Sequence, residues 1–518
     1  MFSLDVLPAD ILLLILPSLS LQDAISLSMV NQSFYTLSQE HSFWLEPLRT
    51  TRNIQPIPCA TMDDLTVRST SDLKQLALRS VRLARNWSQP LPQTTGPTNT
   101  FSCGVHNNIL FCLPGTDAIV LYSLQEGSII CANVKTGESS APVSVNRILD
   151  MSSPLEEPTS FSVSLLADDD GDMSIVVLKA LIHPVVTLET VFTHELSDGY
   201  IYAGIFMTPS VVGVARAMEI GTIEVQSFNL LNPKLSTVIV TDRPNSPVLG
   251  STVIGDTVFF IIPQAGDAFV YACPPRLLAY SEPSPETDYT IQRSHVAHIP
   301  RPRDGPLSSS DPSPPSIMRL EYCVLSTEPN RGRNTISVAR NITTAAPTGR
   351  QFPHSLEITF WPRPAPVPAS SRFRGFKEGR ERERADGRRM QPAQTICIPG
   401  SLSNQPGTAW ELLVIANSGL AVVLVIDPPD PAAESPVDSQ GPPLRPVPKL
   451  MMARYDPVLH SVSLHELRIS AGTGQGADPD DPELQLDTRG ICALGLDDHR
   501  GYVIVVTVHN VVHYIPYA

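Results

Sequence analysis

The 518-residue chain has no apolar stretch near the roughly 20 residues that a membrane-crossing helix needs. Its eight cysteines (Cys59, Cys103, Cys112, Cys131, Cys273, Cys323, Cys397 and Cys492) form no C-x-x-C pair. They read as scattered, reduced, mostly buried thiols rather than as a disulfide framework or a zinc site. Charge is scarce, at 17% of residues, and the net balance is −15. Broad binding of nucleic acid is not expected of such a chain, because the phosphate backbone rewards clustered Lys and Arg. No H-E-x-x-H, G-x-S-x-G or P-loop occurs, so no catalytic centre announces itself. The stretch ADDDGDM crowds Asp168, Asp169, Asp170 and Asp172, but calcium-loop spacing is not met, and a polar turn is the simpler reading. His509 and His513 lie four apart, which in a strand puts both on one face; two imidazoles alone make no site. No metal and no cofactor is expected.

Proline, by contrast, is plentiful. Its 50 residues are roughly double the usual share of about 5%. That many prolines implies many turns and argues against a mostly helical protein.

Residues 7–19 read LPADILLLILPSL. A signal peptide needs a positive leading segment and a longer apolar core. The charges here are Asp5 and Asp10, and Pro17 ends the apolar run Ile11–Leu16 after six residues. What remains is a short helix from about Pro8 to Leu16 that Pro17 helps to stop. A second helix is expected from near Gln22–Asp23, carrying Ile25, Leu27 and Val30. A third fits about Asn31 to Glu40, with Phe34 and Leu37 on one face. Three short helices make a very small core, and such a unit usually docks on a partner through exposed apolar surface.

Residues 7–44 resemble an F-box. The pattern's opening is Leu7, Pro8, Asp10, Ile11 and Leu12. Its aliphatic pair and Leu are Ile15, Leu16 and Leu19, and its aliphatic segment ending in Val is Ile25 to Val30. Phe34, Leu37 and Trp44 complete it without a gap. Gln32, Ser33 and Asn31 stand where basic residues and a Cys are frequent, a change confined to the rim. The resemblance implies binding to the Skp adaptor of SCF-type cullin–RING ubiquitin ligases, by helices laid into an apolar groove. It makes Leu7, Pro8, Ile11, Leu12, Ile15 and Leu16 the central contacts, joined by Leu19, Ile25, Val30, Phe34, Leu37 and Trp44.

The expected organisation is an F-box domain over 1–50, a linker over 51–99, and a large β domain over 100–518. In the linker, residues 70–87 have a helical stripe of Leu73, Leu76, Ala77, Ser80, Leu83, Ala84 and Trp87. Thr70 or Ser71 would cap it. Lys74, Arg79, Arg82 and Arg85 form its outer face, which reads as a solvated basic surface or as one side of a stiff strut. After residue 100 the periodicity changes to short strands bounded by Gly, Asp, Asn or Pro, about 26 of them. The fold class is therefore multidomain: a small all-α unit of three helices, a connector helix, then an all-β region. For the latter a β-propeller of about seven four-stranded blades is expected, with two β-sandwiches as the alternative. The Gly-His and Trp-Asp signatures of WD repeats are missing, although GTDAIVLYSLQEGSIICANVKTGE loosely resembles a blade of degenerate WD-type propellers in fungal F-box proteins. The strand-rich ending at Tyr517 would let the first and last strands share a blade.

Pro-rich insertions near 300–316, 362–392 and 427–448 are expected to be mobile loops. Arg380, Arg382, Arg384, Arg388 and Arg389 read as a solvated loop, with an import signal or an acidic-partner site as alternatives. Ser246, Ser284, Ser313 and Ser435 each precede Pro. Together these readings point to a non-catalytic substrate receptor of a ubiquitin ligase, in the cytoplasm, the nucleus or both. An F-box scaffold outside ubiquitin ligation and a propeller-fold hydrolase are the alternatives. The target protein is not legible.

Overall fold

The computed structural model describes residues 8–52, 55–182, 185–197, 200–217, 223–232, 234–241, 250–254, 257–264, 267–273, 278–279, 297–299, 335–345, 351–362, 394–399, 413–415, 419–425, 448–456, 459, 461–467 and 488–517. The three Pro-rich insertions, the Arg380–Arg389 cluster and the four Ser-Pro sites fall outside the described residues, apart from the edge residues Pro362 and Pro448.

The N-terminal helices are α1 (Ala9–Ile15), α2 (Leu21–Ser28), α3 (Gln32–Leu37), α4 (His41–Arg52) and α5 (Thr70–Trp87). Pro8 stands just before α1 and Asp10 lies in its first turn, where a negative charge suits the helix dipole. Pro17 does not end the coil outright. The chain tightens into a 3-10 turn over Leu16–Ser18, with Pro17 early in that turn, where its missing N–H costs little. Ser20 and Asp23 cap α2 reciprocally: the Ser20 hydroxyl accepts from the Asp23 N–H at 3.1 Å, and the Asp23 carboxylate accepts from the Ser20 N–H at 3.3 Å. Asn31 caps α3 through the Phe34 N–H at 2.9 Å. The fourth helix was not expected. Pro47 lies inside it and reads in sequence as a breaker, yet Phe43, Trp44, Leu45 and Leu48 bury one face and hold the helix together.

The β region is a ring of seven antiparallel sheets taken in chain order. Blade 1 holds β2 (Asn108–Cys112), β3 (Ala118–Ser123), β4 (Ser128–Asn133) and β5 (Val143–Ser144). Blade 2 holds β6 (Arg147–Met151), β7 (Leu155–Glu156), β8 (Ser160–Asp169), β9 (Asp172–Leu181) and β10 (Thr187–Glu195). Blade 3 runs from β11 (Ile201–Met207) through β12 (Val211–Ala217) and β13 (Ile223–Asn229) to β14 (Ser236–Thr241). Blade 4 runs from β15 (Gly250–Ile254) through β16 (Thr257–Gln264) and β17 (Asp267–Cys273) to β18 (Ala297–Ile299). Blade 5 has three strands among the described residues, β19 (Thr335–Ala345), β20 (Gln351–Pro362) and β21 (Gln394–Pro399). Blade 6 has β22 (Leu413–Ile415), β23 (Leu420–Val425), β24 (Lys449–Asp456) and β25 (Ser461–Glu466). Blade 7 has β26 (Ile491–Asp497), β27 (Tyr502–Thr507) and β28 (Val511–Pro516).

The fourth strand of blade 7 is the first of the chain. β1 (Asn99–Ser102) pairs antiparallel with β28, Asn99 opposite Tyr514 and Ser102 opposite Val511. That pairing completes blade 7, which packs on blade 1, and seven separate small sheets are not two sandwiches. Apolar clusters join neighbouring blades: 7 to 1 through Ile504, Val506, Ile119 and Leu121, 1 to 2 through Val120, Cys131, Phe161 and Leu165, and 6 to 7 through Val422, Met452, Val503 and Val505. Asp150 of β6 adds a polar tie, accepting from the Gly204 and Ile205 N–H groups of β11 at 2.9 and 3.1 Å.

Two sequence details resolve. Asp168–Asp172 is the β8–β9 hairpin turn, with Asp170 and Gly171 at φ 53° and 107° and the Asp168 carboxylate accepting from the Gly171 N–H at 2.9 Å. His509 and His513 do not share a strand face, because His509 lies in the turn between β27 and β28. The turn's need for a reversal at Asn510, φ 58°, outweighs the run of β-formers around it.

Candidate docking face

The run Ile11–Leu16 is apolar on two sides of one helix. Leu12 and Leu16, four apart, enter a core with Leu21, Ala24, Phe34, Leu37, Phe43, Trp44 and Leu48. Ile11, Leu14 and Ile15 follow the other stripe, at spacings of three and four, and face outward with Pro8. Further exposed apolar side chains follow: Leu14 is 75% exposed, Met29 74% and Val30 66%. Tyr35 of α3 is also exposed. Single exposed aliphatics are ordinary on a protein surface; three on one stripe of a seven-residue helix make an apolar patch.

The expected contact residues therefore divide. Pro8, Ile11, Ile15 and Val30 are at the surface. Leu12, Leu16, Phe34, Leu37 and Trp44 are buried in the unit's own core, and the Trp44 indole N–H donates to the Ser38 carbonyl at 2.7 Å. Leu19 and Ile25 are half-buried against that core. Leu7 lies outside the described residues. Leu14, Met29 and Tyr35 were not singled out in the sequence. The 11/14/15 spacing would have found Leu14, but nothing in the local pattern distinguishes Met29.

Residues after α4 belong to the same core rather than to a spacer. Ile57, Cys59 and Leu65 pack with Leu73, Leu76 and Ala77 of α5. The buried Arg52 guanidinium donates to the carbonyls of Asp63 at 2.7 Å, Ala60 at 2.9 Å and Thr61, which fixes the 57–63 loop. The Lys74 ammonium lies 5.9 Å from the Tyr35 ring centroid, tying α5 to α3. Ser69, rather than Thr70 or Ser71, caps α5, accepting from the Asp72 N–H at 3.2 Å.

The far half of α5 belongs to the ring. Leu83 and Trp87 pack with Leu420, Leu450, Ile515 and Tyr517, and Trp87 stacks on Tyr517 with centroids 5.0 Å apart. The Asn86 amide donates to the Tyr517 carbonyl at 2.5 Å. One helix thus has its first half in the N-terminal helical core and its second half in the ring. A strut is the arrangement that this produces.

The 57–63 loop makes a second junction. The His499 Nδ1–H donates to the Cys59 carbonyl at 3.0 Å, since a carbonyl only accepts. Gly115, at φ +72°, lies under the Cys59–Ala60 peptide, and an added Cβ would run into that backbone. Its N–H donates to Asp497 at 3.0 Å. Arg500 binds Asp497 at 2.7 Å and also pairs with Asp117. Burial works against the Arg500 charge, but Asp497 and Asp117 outweigh it and hold the guanidinium further up than usual. The Glu156 carboxyl is turned inward here. Burial pushes it up to about 7, reinforced by Asp498 and Asp497 and opposed by His499 and a hydrogen bond to Thr61.

The F-box domain family model matches residues 4–46, so an F-box domain spans α1–α3 and the start of α4. No curated protein sequence matches the chain. Among solved structures, it is similar to the WD40 domain of SCAP from fission yeast, at 11% identity over 80% of this chain and 82% of that one, TM-score 0.38. Hsv2 of Kluyveromyces lactis is similar at 10% identity over 68% and 83%, TM-score 0.29. A functionally unknown protein from Desulfotomaculum acetoxidans is similar at 12% identity over 77% and 95%, TM-score 0.37. The strand order of the ring, independent of these likenesses, establishes the propeller.

Proposed function

We propose that this chain, with an F-box domain at residues 4–46, is the substrate-receptor subunit of an SCF-type cullin–RING ubiquitin ligase. The observation that carries the reading is the outward stripe Ile11, Leu14 and Ile15 on that domain. The Skp adaptor would cover this stripe with Pro8, Val30 and Met29, while Leu12, Leu16, Phe34, Leu37 and Trp44 keep the helices in place. Leu7 would extend the same contact. Each aliphatic anchor contributes about 1.5–3 kcal/mol when buried, so a few suffice for a stable complex.

The ring would hold the target protein. Both turns that meet the 57–63 loop, at Gly115 and at Asp497–Arg500, join the first and second strands of their blades. In an antiparallel meander, second-to-third-strand turns emerge at the other end. The turns at 124–127 and 169–172 therefore lie away from the docking helices, and we place target binding on that face. The chain does no chemistry of its own in this reading. It raises the effective concentration of target lysines near a ubiquitin-charged conjugating enzyme, in the cytoplasm, the nucleus or both.

The test is co-purification of adaptor and cullin with the intact chain and with a Leu7→Ala/Pro8→Ala variant. Adaptor and cullin should accompany the wild type, and the adaptor should be lost from the variant. Adaptor without cullin would favour a scaffold acting outside ubiquitin ligation. Full adaptor recovery with the variant would remove Leu7 and Pro8 from the contact.

A further inference from the structure

Of the 37 Lys and Arg residues, 6 are lysine and 31 arginine, although lysine is ordinarily among the commonest residues. No lysine precedes Lys74. Lys74 is half-buried with its ammonium beside the Tyr35 ring, and Lys179 pairs with Glu157 at 3.3 Å. Lys135, Lys234 and Lys449 are exposed on the ring, and Lys377 lies outside the described residues. By contrast Arg79, Arg82 and Arg85 are all exposed on the outer face of α5. The helix that joins the F-box domain to the ring is cationic there, with guanidinium groups at all three positions.

The difference matters for one reaction. In ubiquitin transfer a neutral lysine amine attacks the thioester carbonyl that links ubiquitin to a conjugating-enzyme cysteine. The C–N isopeptide bond forms, the C–S bond breaks, and the leaving thiolate takes up a proton as the nitrogen loses one. Arginine stays charged in proteins and is no acceptor, whereas lysine is the residue that is ubiquitinated. A receptor held inside the ligase is exposed to the same high effective concentration that it creates for its target, so its own lysines compete. We propose that this chain is lysine-poor so that ubiquitin passes to the bound target rather than to the receptor, with Arg79, Arg82 and Arg85 keeping the positive face of α5 while offering no acceptor. The inference rests on the ligase reading above.

The test uses the full chain reconstituted with the adaptor, cullin–RING, activating and conjugating enzymes, ubiquitin and ATP. Wild type is compared with R79K/R82K/R85K, and with R49K/R147K/R489K, which samples three other places. Each change keeps charge and nearly keeps helix propensity, and thermal melts check that folding is unchanged. At least one variant should carry severalfold more ubiquitin than wild type, mapped by mass spectrometry to the introduced lysines. The inference is overturned if neither variant gains while free ubiquitin chains show an active ligase, or if wild type is already heavily modified on its few lysines. A wild-type chain that does not assemble with the adaptor overturns the ligase reading and this inference with it.

Discussion

Residues 11–16, ILLLIL, and residues 420–425, LAVVLV, which begin a seven-residue run ending at Ile426, are both unbroken in apolar residues. In β23 all six residues are buried, because a blade has a neighbour on each face. In α1, Ile11, Leu14 and Ile15 are exposed, because the F-box core covers one stripe only. Equal hydrophobicity therefore means opposite things in the two regions: closure in the ring, and an exposed stripe in the F-box domain. What separates them is how many faces the surrounding architecture can cover, which the run itself does not encode.

The comparison breaks first on stability. Leu424→Ala should cost about 2–5 kcal/mol, whereas Leu14→Ala, on the uncovered stripe, should stay within about 0.5 kcal/mol. Denaturant melts of the two variants check this, and similar losses would mean that α1 is packed against something of its own chain. Next comes the junction between the regions. Gly115→Ala places a Cβ against the Cys59–Ala60 peptide and forces a left-handed backbone on alanine, at a cost of about 1–3 kcal/mol. The loss should separate F-box and ring, so proteolysis between residues 53 and 98 should speed up relative to wild type.

A pH dependence arises at the same junction. Glu156, held up to about 7, keeps its proton in the folded chain over a range where an unfolded Glu, near about 4.3, has lost it. Its contribution is present below the unfolded value and is lost as pH rises toward 7. Glu156→Gln should flatten the fall in melting temperature between pH 5 and 7, and an unchanged slope would show that the carboxyl does not titrate there.

How much was legible follows the same division. The span of α5 was legible, because its apolar positions repeat with the helical period, but its cap lies one residue earlier, at Ser69. The number of blades follows from counting strands at four to a blade. Ring closure through β1 was foreseeable from a strand-rich ending, but its register depends on contacts more than 400 residues apart in sequence. Helix α4 was missed because Pro47 is a local stop signal and burial of Phe43, Trp44 and Leu48 is a tertiary one. The apolar residues of the F-box pattern were legible as a set but not as a buried and an exposed subset. Leu12 and Leu14 look alike in sequence, and only the packing sends one inward and the other out. The split role of α5, half in each core, was hidden because its stripe is continuous.

The most direct measurement is a titration of purified Skp adaptor onto the full chain and onto Ile11→Glu/Leu14→Glu/Ile15→Glu. These side chains are exposed, so the variant should melt close to wild type. Losing three aliphatic anchors should weaken binding by at least ~100-fold. Wild-type affinity in a folded variant would contradict the claim that the outer stripe of α1 is the docking face.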